Sequence, residues 1–400
     1  MIGAGVFSVL GLAVGFSGSA VFLSFILFGV VALFTAYSYA KLGVRYPSLG
    51  GTAEYLVRGF GDRPLTGVFG IMLYLGYVSV IALYAYTFGS YAALFVPFAS
   101  PLIRHVFITL IVLSFMLVNL VGADAMGKTE LVVVFIKVAV LIAFIVAGLI
   151  SVNLGMLAPS NWPDLKGILA GGAIIFMAYE GFGLISNGVE EMEDPERNLP
   201  RALYLSVIIV IVIYTLIGAV VGCLPVEEVA RAKEYALAVA ALPLMGQLGF
   251  LLISVVALLS TSSAINATMF GAMNVARYLA RNGKIPSVFD SGLWGKEHAG
   301  GLLTTTVLIL FLANLLNLEG ISLMASSLFL LVYGLVNLAN FRLRRETGSN
   351  PLLPLIGFFS CAFSFMYLIW YSLTVFPVQV VFLLAILSIS ILSEYVYRKL

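Results

Sequence analysis

One lysine, Lys137, stands inside an otherwise unbroken apolar run from Leu131 to Ile150. It lies nine residues past Lys128, which marks the inner end of the run, and therefore ~13 Å into a helical span, near the bilayer midplane. A cation at that depth costs about 2.5 to 3.5 kcal/mol on the most lenient insertion scale, so it persists only with a partner, a water-filled cavity or the loss of its proton. Val133, Val134, Val140 and Leu141, one helical turn away on either side, are all apolar, and the partner is expected from another helix. Desolvation disfavours the ammonium, which makes Lys137 the first candidate for a proton-binding switch. Its depth argues against snorkelling to an interface; a structural lysine bonded to carbonyls is the remaining alternative.

A second ionisable group, Glu180, sits about five residues past Ile175, deep in an apolar stretch. Either it is protonated and capped by nearby backbone, or it is ionised and meets a cationic substrate, Lys137, or both in turn. Asn187 lies two turns further along the same face and extends the polar track. Glu180 falls in Tyr179-Glu180-Gly181-Phe182-Gly183, one of two G-x-G pairs in apolar sequence; the other is in Met1-Ile2-Gly3-Ala4-Gly5-Val6-Phe7. Such pairs let a membrane helix unwind. The freed amide N–H groups attract a carboxylate, and freed carbonyls attract an ammonium or sodium ion. Close packing through small residues is the competing reading. Ser260-Thr261-Ser262-Ser263 and Asn266 form a further polar cluster, able to ligate sodium or an ammonium, or to bond back to their own helix. Tyr74, Tyr77, Tyr84 and Tyr86 crowd another span, as pocket lining or as packing.

The elements that must position these groups are membrane helices. At 400 residues, 62% hydrophobic and 10% charged, the chain carries more apolar surface than a soluble core could hide. Runs of at least ~17 apolar residues give spans near 20–42, 65–95, 105–122, 129–151, 168–190, 201–223, 246–280, 302–317, 320–340, 354–375 and 378–397. Residues 1–10 read as the second half of a further span, not as a signal peptide, since no basic segment precedes the apolar stretch. Basic residues fall on alternate loops: 16 of the 21 on one side, among them Lys41, Arg45, Lys128, Arg277, Arg281, Lys284, Lys296, Arg342, Arg398 and Lys399. Arg104, Lys166, Arg231 and Lys233 lie on the other. Positive-inside bias then places the C-terminus in the cytoplasm of a multi-pass cell-membrane protein. The loops are short, so residues 1–400 make a single transmembrane domain. The longest outer loop, near 224–245, has helical periodicity and reads equally as a lid or as packing. Cys223 and Cys361 form no disulfide or metal motif, His105 and His298 stand alone, and no basic block suggests nucleic acid. Without a Walker A, G-x-S-x-G or H-E-x-x-H motif, neither cofactor nor enzymatic chemistry is expected, and transport is.

Taken together, the motifs resemble the amino acid-polyamine-organocation transporter superfamily, in particular its prokaryotic proton-coupled amino acid permeases. The resemblance covers essentially the whole chain. It rests on Gly3-Ala4-Gly5-Val6-Phe7, on Pro47-Ser48-Leu49-Gly50-Gly51 followed by Tyr55, and on Phe176 to Phe182 leading into Glu190-Glu191. Asp194-Pro195-Glu196-Arg197-Asn198-Leu199-Pro200 and Arg281-Asn282-Gly283-Lys284-Ile285-Pro286 complete the set. The fold this implies is all-α and polytopic, a LeuT-type inverted five-helix repeat with two additional helices, about twelve spans in all, with the first half of helix 1 absent from this chain. The resemblance further implies that the N–H groups of Gly3, Ala4 and Gly5 hold a substrate carboxylate and that carbonyls around Met177, Ala178 and Glu180 hold its amine, with Phe182 as an aromatic gate. Lys137 occupies the place where some proton-coupled members carry a lysine instead of a sodium ion, and Ser262 and Ser263 align with that site's hydroxyls. The position of Glu180 is generally apolar in similar sequences; a carboxylate there favours a cationic amino acid, or serves as a second proton carrier.

The expected function is secondary active transport of amino acids, driven by protons, with the amino acid, the proton and the lipid bilayer as partners. An amino acid or polyamine exchanger is the alternative. A proton-conducting subunit of a membrane complex is a third reading, less favoured because Lys137 and Glu180 alone make no continuous proton wire.

Overall fold

An apolar run in a bilayer must satisfy its own backbone hydrogen bonds, and here each run does so as a helix. The computed structural model describes residues 1–48, 50–97, 100–121, 127–292, 299–375 and 377–397. Leu49, Lys296, His298, Arg398 and Lys399 lie outside the described residues, as do the side chains of Lys128 and Glu191.

The helices run in order α1 (Gly5–Ser17), α2 (Val21–Arg45), α3 (Thr52–Phe60), α4 (Pro64–Ala93), α5 (Pro101–Val121), α6 (Gly127–Ser151), α7 (Leu165–Ile175) and α8 (Phe182–Asn187). There follow α9 (Pro195–Gly222), α10 (Val226–Arg231), α11 (Ala236–Arg281), α12 (Ala299–Leu315), α13 (Leu318–Arg342), α14 (Arg344–Thr347), α15 (Leu352–Val375) and α16 (Pro377–Tyr397). Among the described residues, ten helical stretches are long and apolar enough to cross a membrane, with Gly5–Arg45 and Leu165–Asn187 each taken as one, and Ala299–Leu315 is a shorter apolar helix. Most expected spans have a helix within a few residues of their predicted ends; α9 starts six residues before 201, α11 starts at Ala236, ten before 246, and the span 168–190 is interrupted. The stretch Gly5–Arg45 bends at Gly18, whose φ of +49° few other residues adopt. Helix α11 breaks at Gly246, three residues after Pro243.

Helices α4 and α13 form the centre of the bundle. They pack on each other, α4 also on α11 and α5, and α13 on α15 and α3. The outer helices turn bare apolar side chains away from the core, among them Phe135 and Ile150 of α6, Leu205 and Ile209 of α9, Phe311 of α12 and Phe359 and Met366 of α15. A surface of that kind is suited to lipid.

Charges collect at the two ends of the bundle. At one, Lys284 Nζ donates to Asp62 Oδ1 at 2.7 Å and lies 3.4 Å from Glu394 Oε1, joining the loop after α11 to α16. Glu394 is buried against Gly67, where a β-carbon would stand 2.0 Å from the carboxylate, so α4 needs glycine there. At the opposite end, the segment 224–245 folds as α10 followed by a 3-10 turn over Lys233–Tyr235, packed against α1. Lys233 pairs with Glu319 at 2.6 Å, Arg104 stands 3.8 Å from Glu234, and Gly11 admits the Lys233 backbone so closely that a β-carbon would lie 2.4 Å from its carbonyl oxygen.

Candidate functional site

The start of α1 and the interrupted stretch Leu165–Asn187 cross at the middle of the bundle. Helix α1 begins at Gly5, and its N-cap residue Ala4 makes no side-chain capping hydrogen bond among the described residues. Helix α7 ends at Ile175, tightens into a 3-10 turn over Phe176–Tyr179 and resumes as α8 at Phe182. The interruption runs from residue 176 to residue 181 and so takes in the first glycine of the Gly181-x-Gly183 pair, although the backbone of Glu180 and Gly181 stays right-handed helical. These glycines serve close approach. A β-carbon on Gly183 would meet the Tyr333 hydroxyl at 3.0 Å, and one on Gly181 would meet Met1.

The broken stretch is held by α13 and α2. Ser326 of α13 donates to Ile174 O at 2.7 Å and accepts the Met177 N–H at 3.2 Å, so one hydroxyl serves both the carbonyl and the amide that the break releases. Tyr333 donates to Glu180 O at 2.9 Å, and Tyr179 donates to Phe25 O of α2 at 2.8 Å. Replacing Ser326 by alanine leaves a buried N–H and a buried C=O without a partner, and is expected to destabilise the purified protein by about 1–3 kcal/mol, read as earlier thermal unfolding in detergent.

A cavity of about 270 Å³ opens beside this crossing, lined by Gly3, Glu180, Lys137 and Ser263, with Tyr84 and Glu130 completing its polar wall. Glu180 is 1% exposed, and its Oε1 accepts from Tyr84 at 3.3 Å, while Oε2 has no hydrogen-bond partner among the described residues. Lys137 is 3% exposed and makes no ion pair within 4.0 Å among the described residues. Ser260 donates to Gly3 O at 2.8 Å, tying the unwound start of α1 to α11.

The structure therefore gathers Gly3, Glu180, Lys137 and Ser263 around one space, as their types and spacing suggest. Ala4, Gly5, Met177, Ala178 and Phe182 are buried behind it and do not line it. Gly5 and Ala178 form the crossing itself, and Phe182 lies in an aromatic cluster, 5.3 Å from the Tyr39 ring and 5.0 Å from that of Tyr333. Ser262 does not line the cavity; one turn of α11 points Ser263 into it and Ser260 at Gly3. Asn266 turns aside to accept from Asn119 of α5 at 2.9 Å. Of Tyr74, Tyr77, Tyr84 and Tyr86 in α4, Tyr84 reaches the cavity; Tyr74 bonds Thr305, and Tyr86 carries the Arg104 guanidinium on its ring face.

One expectation needs correction. Lys137 does have a candidate partner on its own helix: Glu130, seven residues earlier and on the same face, lines the same cavity and accepts a short hydrogen bond from Ser263. Its place beside Lys128 makes it look like ordinary interfacial charge, and only the two-turn spacing to Lys137 signals otherwise.

A model of the amino acid permease family matches residues 1–392. The chain belongs to that family. The permease is 36% identical over 405 residues to an uncharacterized protein of Methanocaldococcus jannaschii, covering 100% of this chain and 92% of that one. It is 31% identical over 365 residues to an inner membrane transport protein of Escherichia coli, covering 89% and 84%. It is 26% identical over 321 residues to the methylthioribose transporter of Bacillus subtilis, covering 74% and 67%. The permease is accordingly a multi-pass membrane transporter and not an enzyme.

Proposed function

We propose that this permease is a secondary active carrier of amino acids, coupled to protons and working by alternating access, in the cell membrane with its C-terminus in the cytoplasm. The observation that carries this reading is the convergence of a lysine, two carboxylates and the non-helical start of the chain at Gly3 on one cavity. The uncapped N-terminus of α1 suits a carboxylate, since its free N–H groups and the helix dipole attract negative charge. Gly3, Ala4 and Gly5 supply that backbone, and the carbonyls of Met177, Ala178 and Glu180 take the amine once α1 and α7 part. Phe182 closes over the bound molecule. The crossing of α1 with α7–α8 supports a LeuT-type inverted repeat as the frame.

Lys137 is the proton-responsive group. Protonated, it reaches the Gly3 segment and Ser262 or Ser263; deprotonated, it releases them, and Glu130 balances its charge from the same helix face. Glu180 suits a substrate with a cationic side chain, which an exchanger of cationic amino acids or polyamines would also use. Glu180→Gln keeps the size and the Tyr84 contact but removes the charge. Competition by arginine and lysine is expected to weaken by about tenfold or more relative to neutral amino acids, the worth of a charge-assisted hydrogen bond; unchanged competition would remove Glu180 from substrate recognition.

Uptake of mixed radiolabelled amino acids into proteoliposomes, with and without an inward proton gradient, tests the reading. Stimulation by the gradient supports symport, and competition then identifies the substrate. Uptake that ignores the gradient but needs internal amino acid means exchange and makes Lys137 a structural cation.

A further inference from the structure

A cavity of about 420 Å³ opens at the end of the bundle that carries most of the basic residues, in the groove where α2 packs on α9 and beside the short helix α14. Lys41 and Arg45 of α2, Glu196 and Tyr204 of α9 and Glu346 of α14 give it polar walls. Its volume falls in the range of small-ligand sites, roughly 300–1,000 Å³. Two cations and two carboxylates thus line one space without neutralising one another. None of the four makes an ion pair within 4.0 Å among the described residues. Elsewhere at this end charges do close on each other: Lys284 on Asp62 at 2.7 Å, Arg281 on Asp290 at 2.9 Å and Arg58 on Glu54 at 2.6 Å. Glu346 instead accepts from the Tyr46 hydroxyl at 2.5 Å, and the Lys41 ammonium lies 6.0 Å from the centre of the Tyr37 ring.

The place of the cavity along the helices decides what kind of molecule reaches it. Past Glu196 and Tyr204, α9 turns Leu205, Ile208, Ile209 and Val212 outward, bare of any covering side chain, and α2 likewise bares Val30 and Leu27 away from its charged end. Tyr204 to Val212 is eight residues, or ~12 Å of helix, close to one leaflet of a hydrocarbon core of about 30 Å. Tyr204 therefore marks the change from charge to apolar surface, the level at which tyrosine settles in a bilayer. A molecule with a polar head and apolar tails can enter sideways there, its head in the cavity and its tails along α9. The charges select the head. A phosphate suits Lys41 and Arg45, and an ammonium suits Glu196 and Glu346. An anionic head alone would bring two carboxylates against a like charge, so complementarity favours a head that carries both signs.

We propose that this cavity binds the headgroup of a membrane phospholipid bearing both a phosphate and a primary ammonium, the phosphate on Lys41 and Arg45 and the ammonium on Glu196 and Glu346. A primary ammonium donates hydrogen bonds to the two carboxylates, which a fully methylated one cannot do. One lipid molecule then joins α2, α9 and α14. Helix α2 accepts the Tyr179 hydroxyl at Phe25 O, and α9 packs on α8, so the lipid braces the two helices against which the interrupted stretch rests. The site shares no lining residue with the Glu180 cavity and does not depend on what the permease carries.

The test is lipid binding by the purified, delipidated protein in mild detergent. Dioleoyl phosphatidylethanolamine is titrated in, bound lipid is read by native mass spectrometry, and thermal unfolding is followed in parallel. Three probes serve as comparisons: dioleoyl phosphatidylglycerol lacks the ammonium, dioleoyl phosphatidylcholine has one that cannot donate, and free phosphoethanolamine lacks the chains. The expected result is one retained phosphatidylethanolamine, preferred several-fold over the other two lipids and raising the unfolding temperature. Lys41→Gln should weaken retention of phosphatidylethanolamine and phosphatidylglycerol alike, whereas Glu196→Gln should weaken the former alone and erase the preference. Neither side chain is buried, so both lipid-free variants should unfold with the parent. Lys166→Gln, at an exposed position on the opposite end, should leave binding unchanged. Equal binding of the three lipids, or an intact preference in Glu196→Gln, overturns the proposal. Free phosphoethanolamine that binds as tightly as the lipid makes this a site for soluble zwitterions and overturns the lipid assignment.

Discussion

Uptake by the Lys137→Ala protein is expected to be the same with and without an inward proton gradient. In the parent protein the lysine is almost wholly buried in a span, faces a polar cavity and has no ion pair within 4.0 Å among the described residues. Such a group gains and loses its proton according to what surrounds it, and a carrier that alternates between two arrangements changes those surroundings every cycle. Alanine removes the charge and leaves room for water in a cavity that is already polar, so exchange of internal for external amino acid should survive while gradient-driven accumulation is lost. Parallel assays of accumulation and of exchange at two external pH values separate these outcomes. Persistence of the parent's pH dependence in the alanine variant would sink the proton role of Lys137 and leave the transporter itself untouched.

Adding a single methyl group at Gly5 is expected to stop transport almost completely. A β-carbon there would lie 2.7 Å from both Cα and Cβ of Ala178, and 3.2 Å from its carbonyl oxygen. Backbone cannot swing aside as a flexible side chain can, so the two broken helices must part, at an overpacking cost of about 1–3 kcal/mol. The displacement falls on the crossing that sets the shape of the cavity. Gly15 on the same helix is the matched control: a β-carbon there meets only Ala230 Cβ, at 3.8 Å, an ordinary contact. Gly15→Ala should therefore be neutral or slightly stabilising, because alanine favours the helix more than glycine does. Initial uptake rates and the amount of folded protein for both variants decide the matter; an active Gly5→Ala protein would show that the crossing yields.

Much of this architecture is legible in the residues because a bilayer permits few solutions. Unbroken apolar runs must be helices, so the span boundaries follow from hydropathy, and a lysine or glutamate within a run must face the interior. Lys137, Glu180 and Ser263 could be singled out on that ground. Other features depend on distances that sequence does not carry. Ser326 looks like any small residue of an apolar helix, yet it closes the break in α7, 149 residues away from Met177. Glu394 and Lys284 are 110 residues apart, and each alone resembles an end-of-span charge. Glycine spacing points to an opening at Gly181 and Gly183; the break takes in Gly181 but starts earlier, at Phe176, where hydroxyls from α13 hold the released backbone groups. Asn187 was visible as a polar residue on the right face. That both its polar atoms lack a hydrogen-bond partner among the described residues could be learned only from what surrounds it.

The end of the bundle that bears Glu319 is closed differently from the rest. There the segment after α10 is fastened by Lys233 to Glu319 and by Arg104 near Glu234, and the Lys233 and Glu234 side chains keep contact with solvent. Attraction between partly solvated charges is weakened by dissolved ions, with a screening length of about 8 Å at physiological ionic strength. That mouth is consequently held by a force that the bathing medium sets, so its tendency to part should rise with salinity, while the oily contacts deeper in the bundle do not register the change.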